Sequence, residues 1–236
     1  MTDINRHRFL LVQILKDIYS DLVLANCLAF KGGTALMFFY DLPRFSVDLD
    51  FNLTARENEE EVYQKVRTII LKYGEIFDEA MKFYGPVIVL NYGKGERKLK
   101  VEISNRDFND RYEIKNFLGI NIRVMVAADM FAHKLCSLLD RPSLAGRDVF
   151  DIWFFLKNNF PVNQEIVRKR MNKSLPGYLR DCIIRLETAD DRIILHGTGT
   201  LTDQELTRFA RKGMRSETID LLKFYEKYPI IDESAR

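Results

Sequence analysis

The chain has 236 residues, with 36 lysines and arginines against 34 aspartates and glutamates and a formal net charge of +2. A balance this even, in each half as in the whole, excludes a strongly basic nucleic-acid-binding arm and leaves only a local patch for a polyanion. No apolar run approaches the length of about 18 residues that spans a bilayer.

Met1-Thr2-Asp3 opens without the basic and apolar regions of a leader. Cys27, Cys136 and Cys182 are far apart, odd in number and set among apolar residues. They read as buried free thiols in a reducing compartment, hence a cytoplasmic protein with no membrane association. His7, His133 and His196 lack zinc spacing.

In chain order, an amphipathic helix is predicted over residues 5–20, with Phe9, Leu10, Val12, Ile14, Leu15 and Ile18 as its apolar positions. Leu28-Ala29-Phe30 reads as the end of a buried strand, and Ala35 to Tyr40 as a helix, with Gly32-Gly33-Thr34 as the turn between them. A strand follows in which Val47, Leu49 and Phe51 alternate with Ser46, Asp48 and Asp50. A charged helix over 57–73 turns Val62, Val66, Ile69 and Ile70 inward. Strands are predicted at Phe83 to Asn91 and Lys98 to Ser104, joined through Gly93-Lys94-Gly95, and again at Ile120 to Met125. Helical periodicity then takes over, at 127–139, 147–159, 163–172, 175–187 and 203–226, punctuated by Pro142, Pro161 and Pro176. The expected organisation is a mixed α/β lobe, 1–125, and a helical lobe, 126–236, with the active cleft between them.

The chemistry concentrates in the first lobe. On a strand, Asp48 and Asp50 share a face about 6.6 Å apart, close enough to repel and to share a proton. A divalent cation resolves that conflict, and magnesium takes few protein ligands and completes its shell with phosphates and water. The alternative is a solvated strand face, yet aspartate is disfavoured in strands. The two glycines let backbone N–H groups approach a phosphate at a helix N terminus. The run lacks the Gly-Lys-Ser/Thr ending of a Walker A loop and the third glycine of a dinucleotide fingerprint. Together these features suit a nucleoside triphosphate with its metal ion.

The run from Lys31 to Phe51 resembles the first motif of the AbiEii/AbiGii toxin family of minimal nucleotidyltransferases, in the DNA polymerase β-like superfamily. That superfamily places Asp-x-Asp after a glycine turn and a third carboxylate on a later strand. Lys134, in His133-Lys134-Leu135, and Arg147-Asp148 with Asp151 resemble the family's later Lys and Arg-Asp motifs. The likeness covers most of residues 25–160. It implies a minimal polymerase β-like α/β fold, magnesium (with manganese as an alternative), a nucleoside triphosphate substrate, tRNA as acceptor and a cognate antitoxin.

The remaining candidates fall around this frame. Glu102 shares a strand face with Lys100 and Ser104; it is either the third metal ligand or part of an exposed Lys–Glu face. Lys31, Gly32, Gly33 and Thr34 would cradle the triphosphate, Arg44 would hold it from the loop, and Ser46 would bond a phosphate or metal-bound water. Lys134 would neutralise leaving pyrophosphate, against the ordinary fate of a solvated helix lysine. Asp148 is the preferred fourth catalytic residue, although an acid in a first helical turn is also favoured by the dipole. Asp151 is expected to be structural, with Arg147 as its surface ion-pair partner at i,i+4. Arg168, Lys169, Arg170, Lys173, Arg180 and Arg185 form the expected phosphate-tracking patch for RNA, and Phe150, Trp153, Phe154 and Phe155 the core. The alternatives to transfer onto tRNA are transfer to a small molecule or protein side chain, and a catalytically silent nucleotide-binding protein.

Overall fold

The computed structural model describes residues 3–190, 201 and 204–235. Met1, Thr2, His196 and Asp203 lie outside them. The fold is α/β, and the chain divides into two compact units. The first comprises residues up to Asp41, Ser46–Asp107 and Tyr112–Met125; the second comprises Leu42–Phe45, Phe108–Arg111 and everything from Val126.

The first unit begins with α1 (Ile4–Ser20), whose N terminus is capped by Asp3 accepting from the amides of Asn5 and Arg6. Its inward stripe is His7, Leu10, Leu11, Ile14, Leu15 and Ile18, while Phe9, expected inside, is exposed. A short helix, α2 (Leu22–Cys27), capped by Asp21, leads into β1 (Leu28–Lys31), α3 (Gly32–Phe39) and β2 (Leu49–Leu53). Next come α4 (Glu59–Leu71), β3 (Glu75–Lys82), β4 (Gly85–Asn91), β5 (Leu99–Ser104), β6 (Tyr112–Phe117) and β7 (Ile120–Met125).

All seven strands form one mixed sheet in the order β3-β4-β5-β2-β1-β7-β6. β1 runs antiparallel to β2 and parallel to β7, while β2 runs parallel to β5. The central strands bury Leu28, Phe30, Leu49, Phe51, Val101 and Ile103. The predicted hairpin forms as β4–β5. Two strands absent from the expectation, β3 and β6, are the two edges of the sheet. The strand expected from Ser46 starts only at Leu49.

The second unit is helical: α5 (Ala127–Asp140), α6 (Gly146–Lys157), α7 (Gln164–Met171), α8 (Leu175–Glu187), α9 (Gln204–Lys212) and α10 (Met214–Lys227). The single helix expected over 203–226 is broken at Gly213, whose amide returns to the carbonyl of Phe209. Asn172 ends α7 in the left-handed conformation, and Pro176 sits in the first turn of α8, where its missing N–H costs nothing. Phe131 stacks on Phe155 with ring centres 4.8 Å apart, and Phe150 and Phe154 are buried, so the aromatic cluster is core. Cys27, Cys136 and Cys182 are all buried and unbridged. Among the described residues no helix is long and apolar enough to cross a membrane.

Candidate nucleotidyl-transfer site

The glycine turn and the aspartate pair meet within the first unit. β1 ends at Lys31, which pairs with Asp50 across the antiparallel ladder, and Gly32 then opens α3. Gly32 adopts φ +81°, and a Cβ there would fall 2.5 Å from Oδ2 of Asp50. The chain thus passes against the carboxylate at a distance that only glycine permits. No side chain caps this end of α3, which leaves its first turn as the kind of terminus that receives an anion. Lys31 donates its ammonium to Oδ1 of Asn52.

Asp48 lies one residue ahead of β2, outside the ladder. Its carbonyl accepts the hydroxyl of Thr34, which is fully buried. Thr34 therefore fixes the Asp48 backbone. The preceding carbonyl, that of Val47, is bonded 2.9 Å from Nε2 of His7, whose Nδ1 lies 2.7 Å from the Tyr92 hydroxyl. Burial lowers the His7 pKa below its ordinary value, against the raising effect of the Val47 bond. Val47 accepts, so Nε2 carries the proton and Nδ1 accepts from Tyr92. Sequence reasoning set His7 aside for want of zinc spacing; its place on the buried stripe of α1 was the available signal.

Burial raises the Asp50 pKa, and the neighbouring charges of Asp48 and Glu102 add to the rise, while Lys100 and Lys31 oppose it. A carboxylate in this position gains from a cation. Asp50 is in register with Glu102 on the parallel neighbour β5, so the two project from the same face. Glu102, the expected third ligand, is held by Lys100 at 2.7 Å. Burial pushes its pKa up, but the Lys100 bond and charge prevail and leave it low. Among the described residues no three His, Cys, Asp or Glu side chains are grouped as a metal cage. Asp48 and Asp50 offer a pair of hard-oxygen donors, the type that magnesium uses alongside phosphate oxygens. Ser46 lies half-buried in the segment before them.

The second unit holds the later candidates. Arg44 is buried, with Nε 2.6 Å and Nη2 2.7 Å from the two oxygens of Asp151. The residue expected on the triphosphate is a bidentate structural cation here. Lys134 reaches Oδ2 of Asp151 at 2.7 Å and Oδ1 of Asp148 at 3.3 Å. Burial alone would raise the Asp151 pKa; the charges of Arg44 and Lys134 outweigh it and hold the carboxyl low. The expected Arg147–Asp151 surface pair does not form, because Asp151 points into the unit and Arg147 is exposed. Asp148 keeps one buried oxygen without a hydrogen bond, 3.3 Å from Nη1 of Arg141.

The basic cluster is largely neutralised. Arg168 pairs with Glu165, Arg170 with Asp140, Lys173 with Asp181 and Arg180 with Glu226, while Arg185 donates to the carbonyl of Pro142. Intimate pairing of this kind leaves little net field to track a phosphate backbone.

The family model of the nucleotidyl transferase AbiEii toxin, type IV toxin–antitoxin system, matches residues 13–227. The chain belongs to the AbiEii family. Two solved structures share the fold of this AbiEii protein. A candidate nucleotidyltransferase from Helicobacter pylori superposes with a TM-score of 0.64 at 22% identity, covering 95% of each chain. JHP933 from Helicobacter pylori gives a TM-score of 0.57 at 23% identity over 97% of each. No curated protein matches the chain.

Proposed function

We propose that this AbiEii protein is a magnesium-dependent nucleotidyltransferase acting as the toxin of a toxin–antitoxin pair, with tRNA as acceptor and a cognate antitoxin as partner. The observation that carries the reading is the close approach of Gly32, at the N terminus of α3, to Asp50. That approach supports a phosphate seat and a metal-binding carboxylate acting as one unit. Asp48 and Asp50 would hold Mg2+, with Mn2+ as a substitute. The ion would supply Lewis-acid polarisation of the reacting phosphate and charge neutralisation.

The chain's own groups do the positioning. The first-turn amides of Gly33 and Thr34 receive phosphate oxygens, Thr34 and His7 hold the backbone that presents Asp48, and Lys31 flanks Asp50. An acceptor hydroxyl attacks the α-phosphorus; the O–P bond to the α-phosphate forms as the bond to pyrophosphate breaks, and the hydroxyl proton passes to solvent water. Lys134, anchored by Asp151 at 2.7 Å and Asp148 at 3.3 Å, is proposed to neutralise the leaving pyrophosphate. The choice of tRNA, like that of the antitoxin, rests on family membership.

Incubation with total RNA and each of the four α-labelled nucleotides tests the reading. Label is expected in a tRNA-sized band, dependent on Mg2+ and absent in Asp48→Asn. Label confined to a small-molecule or protein fraction would replace the acceptor and keep the chemistry. Transfer only from γ-labelled nucleotide would make the protein a kinase and overturn the proposal.

A further inference from the structure

Lys100 was no candidate in the sequence, yet it stands among the carboxylates of the first unit. β2 and β5 run parallel with Leu49 opposite Val101 and Asp50 opposite Glu102. Asp48 lies one residue ahead of the ladder, near enough for its charge to act on both Asp50 and Lys100. Residues two apart on a strand share a face, so Lys100 stands beside Glu102, which is opposite Asp50, and with Asp48 just ahead of the strand these make a cluster of four charged residues. Neighbouring strands lie about 4.8 Å apart, and i,i+2 neighbours about 6.6 Å. The Lys100 ammonium contacts Oε2 of Glu102 at 2.7 Å. The ammonium also lies within reach of the charges of Asp50 and Asp48.

We propose that Lys100 is a built-in counter-ion of the carboxylate cluster: it holds Glu102 away from metal coordination, so that the protein without nucleotide binds its divalent cation through Asp48 and Asp50 only. The inference rests on the metal reading above and adds an antagonist to it. It accounts for a third carboxylate in register with Asp50 that nevertheless completes no three-ligand group. The ammonium offsets one of the carboxylate charges of the cluster. Without the lysine that offset is lost, and Glu102 is released to ligate.

The test is a Mn2+ titration of the full-length protein, without nucleotide, followed by the electron paramagnetic resonance of free Mn2+. Lys100→Met, which keeps the stem and removes the charge, is expected to bind Mn2+ at least tenfold more tightly than wild type. Glu102→Gln in the wild-type background should leave the affinity within twofold, and in the Lys100→Met background it should remove most of the gain. Lys100→Arg should behave as wild type, and far-ultraviolet circular dichroism checks the fold of each variant. An unchanged affinity in Lys100→Met, or a gain that survives Glu102→Gln in full, overturns the proposal. The metal reading is read separately: it stands if wild type binds Mn2+ and Asp48→Asn does not, whatever Lys100→Met does. If no variant binds Mn2+, both readings fail.

Discussion

Gly32 passes so close to Asp50 that any side chain at position 32 would collide with the Asp50 carboxylate. Gly32→Ala should therefore do two things at once. The positive φ and the clash destabilise the fold by about 1–3 kcal/mol, and the displaced carboxylate abolishes transfer. Urea unfolding and α-labelled transfer measure the two effects. An Ala variant of normal activity would mean that the Asp50 carboxylate is free to move without consequence, and the coupled seat would have to be abandoned.

Much of this arrangement was legible because it is local. Glycines before a helix and alternating Leu49, Asp50 and Phe51 announce the β1–α3–β2 unit. The alternation extends further back than the strand itself: β1 ends at Lys31 opposite Asp50, so the chain before Leu49 has no β1 partner. Thr34 takes the Asp48 carbonyl instead. The two missed strands, β3 and β6, are edges, where charged residues such as Glu75, Asp78, Glu113 and Lys115 interrupt the apolar signal. The helix α2 has only six residues, too few to show a period. Arg44 and Asp151, 107 positions apart, and Lys100 against its carboxylates depend on tertiary pairing that no spacing encodes.

That long-range pair yields a stability prediction. Arg44 and Asp151 are both buried, and removing one partner of a buried pair costs about 3–5 kcal/mol because the other charge is left without full compensation. Arg44→Ala should lose that amount in urea or thermal unfolding. Arg44→Lys should recover only part, since an ammonium lacks the bidentate fork. Arg147→Ala, at an exposed position, should shift stability by no more than about 0.5 kcal/mol. A stable Arg44→Ala variant with a raised KM for nucleotide would instead restore the triphosphate-holding role that the sequence suggested.

His7 links the Asp48 segment to pH. Burial sets its folded pKa below the ordinary 6.5. Between those two values the unfolded chain binds more protons than the folded one, so unfolding free energy falls on acidification. The loss begins as pH drops through about 6.5 and levels off below the folded pKa. Unfolding curves at a series of pH values should show this slope in wild type and a shallower one in His7→Gln. Equal slopes in the two proteins would remove His7 from the account.

Lys134 offers the most direct examination of the helical unit's part in the reaction. Its ammonium holds Asp151 at 2.7 Å and Asp148 at 3.3 Å, while Arg44 secures Asp151 independently and Arg141 stands beside Asp148. Lys134→Ala therefore removes one cation from a cluster that keeps two others, and the fold should survive. If that ammonium neutralises leaving pyrophosphate, its loss should slow transfer by about 10²–10³-fold, as loss of one positioned electrostatic group does. Asp148→Asn, which preserves size and removes one of the two charges that hold Lys134, should slow it comparably. The double variant should be little worse than either single one, because residues acting as a unit are not additive. Growth arrest on induced expression should disappear in the same variants. Two fully active, toxic single variants would reduce this cluster to a scaffold that stabilises the helices and takes no part in the chemistry.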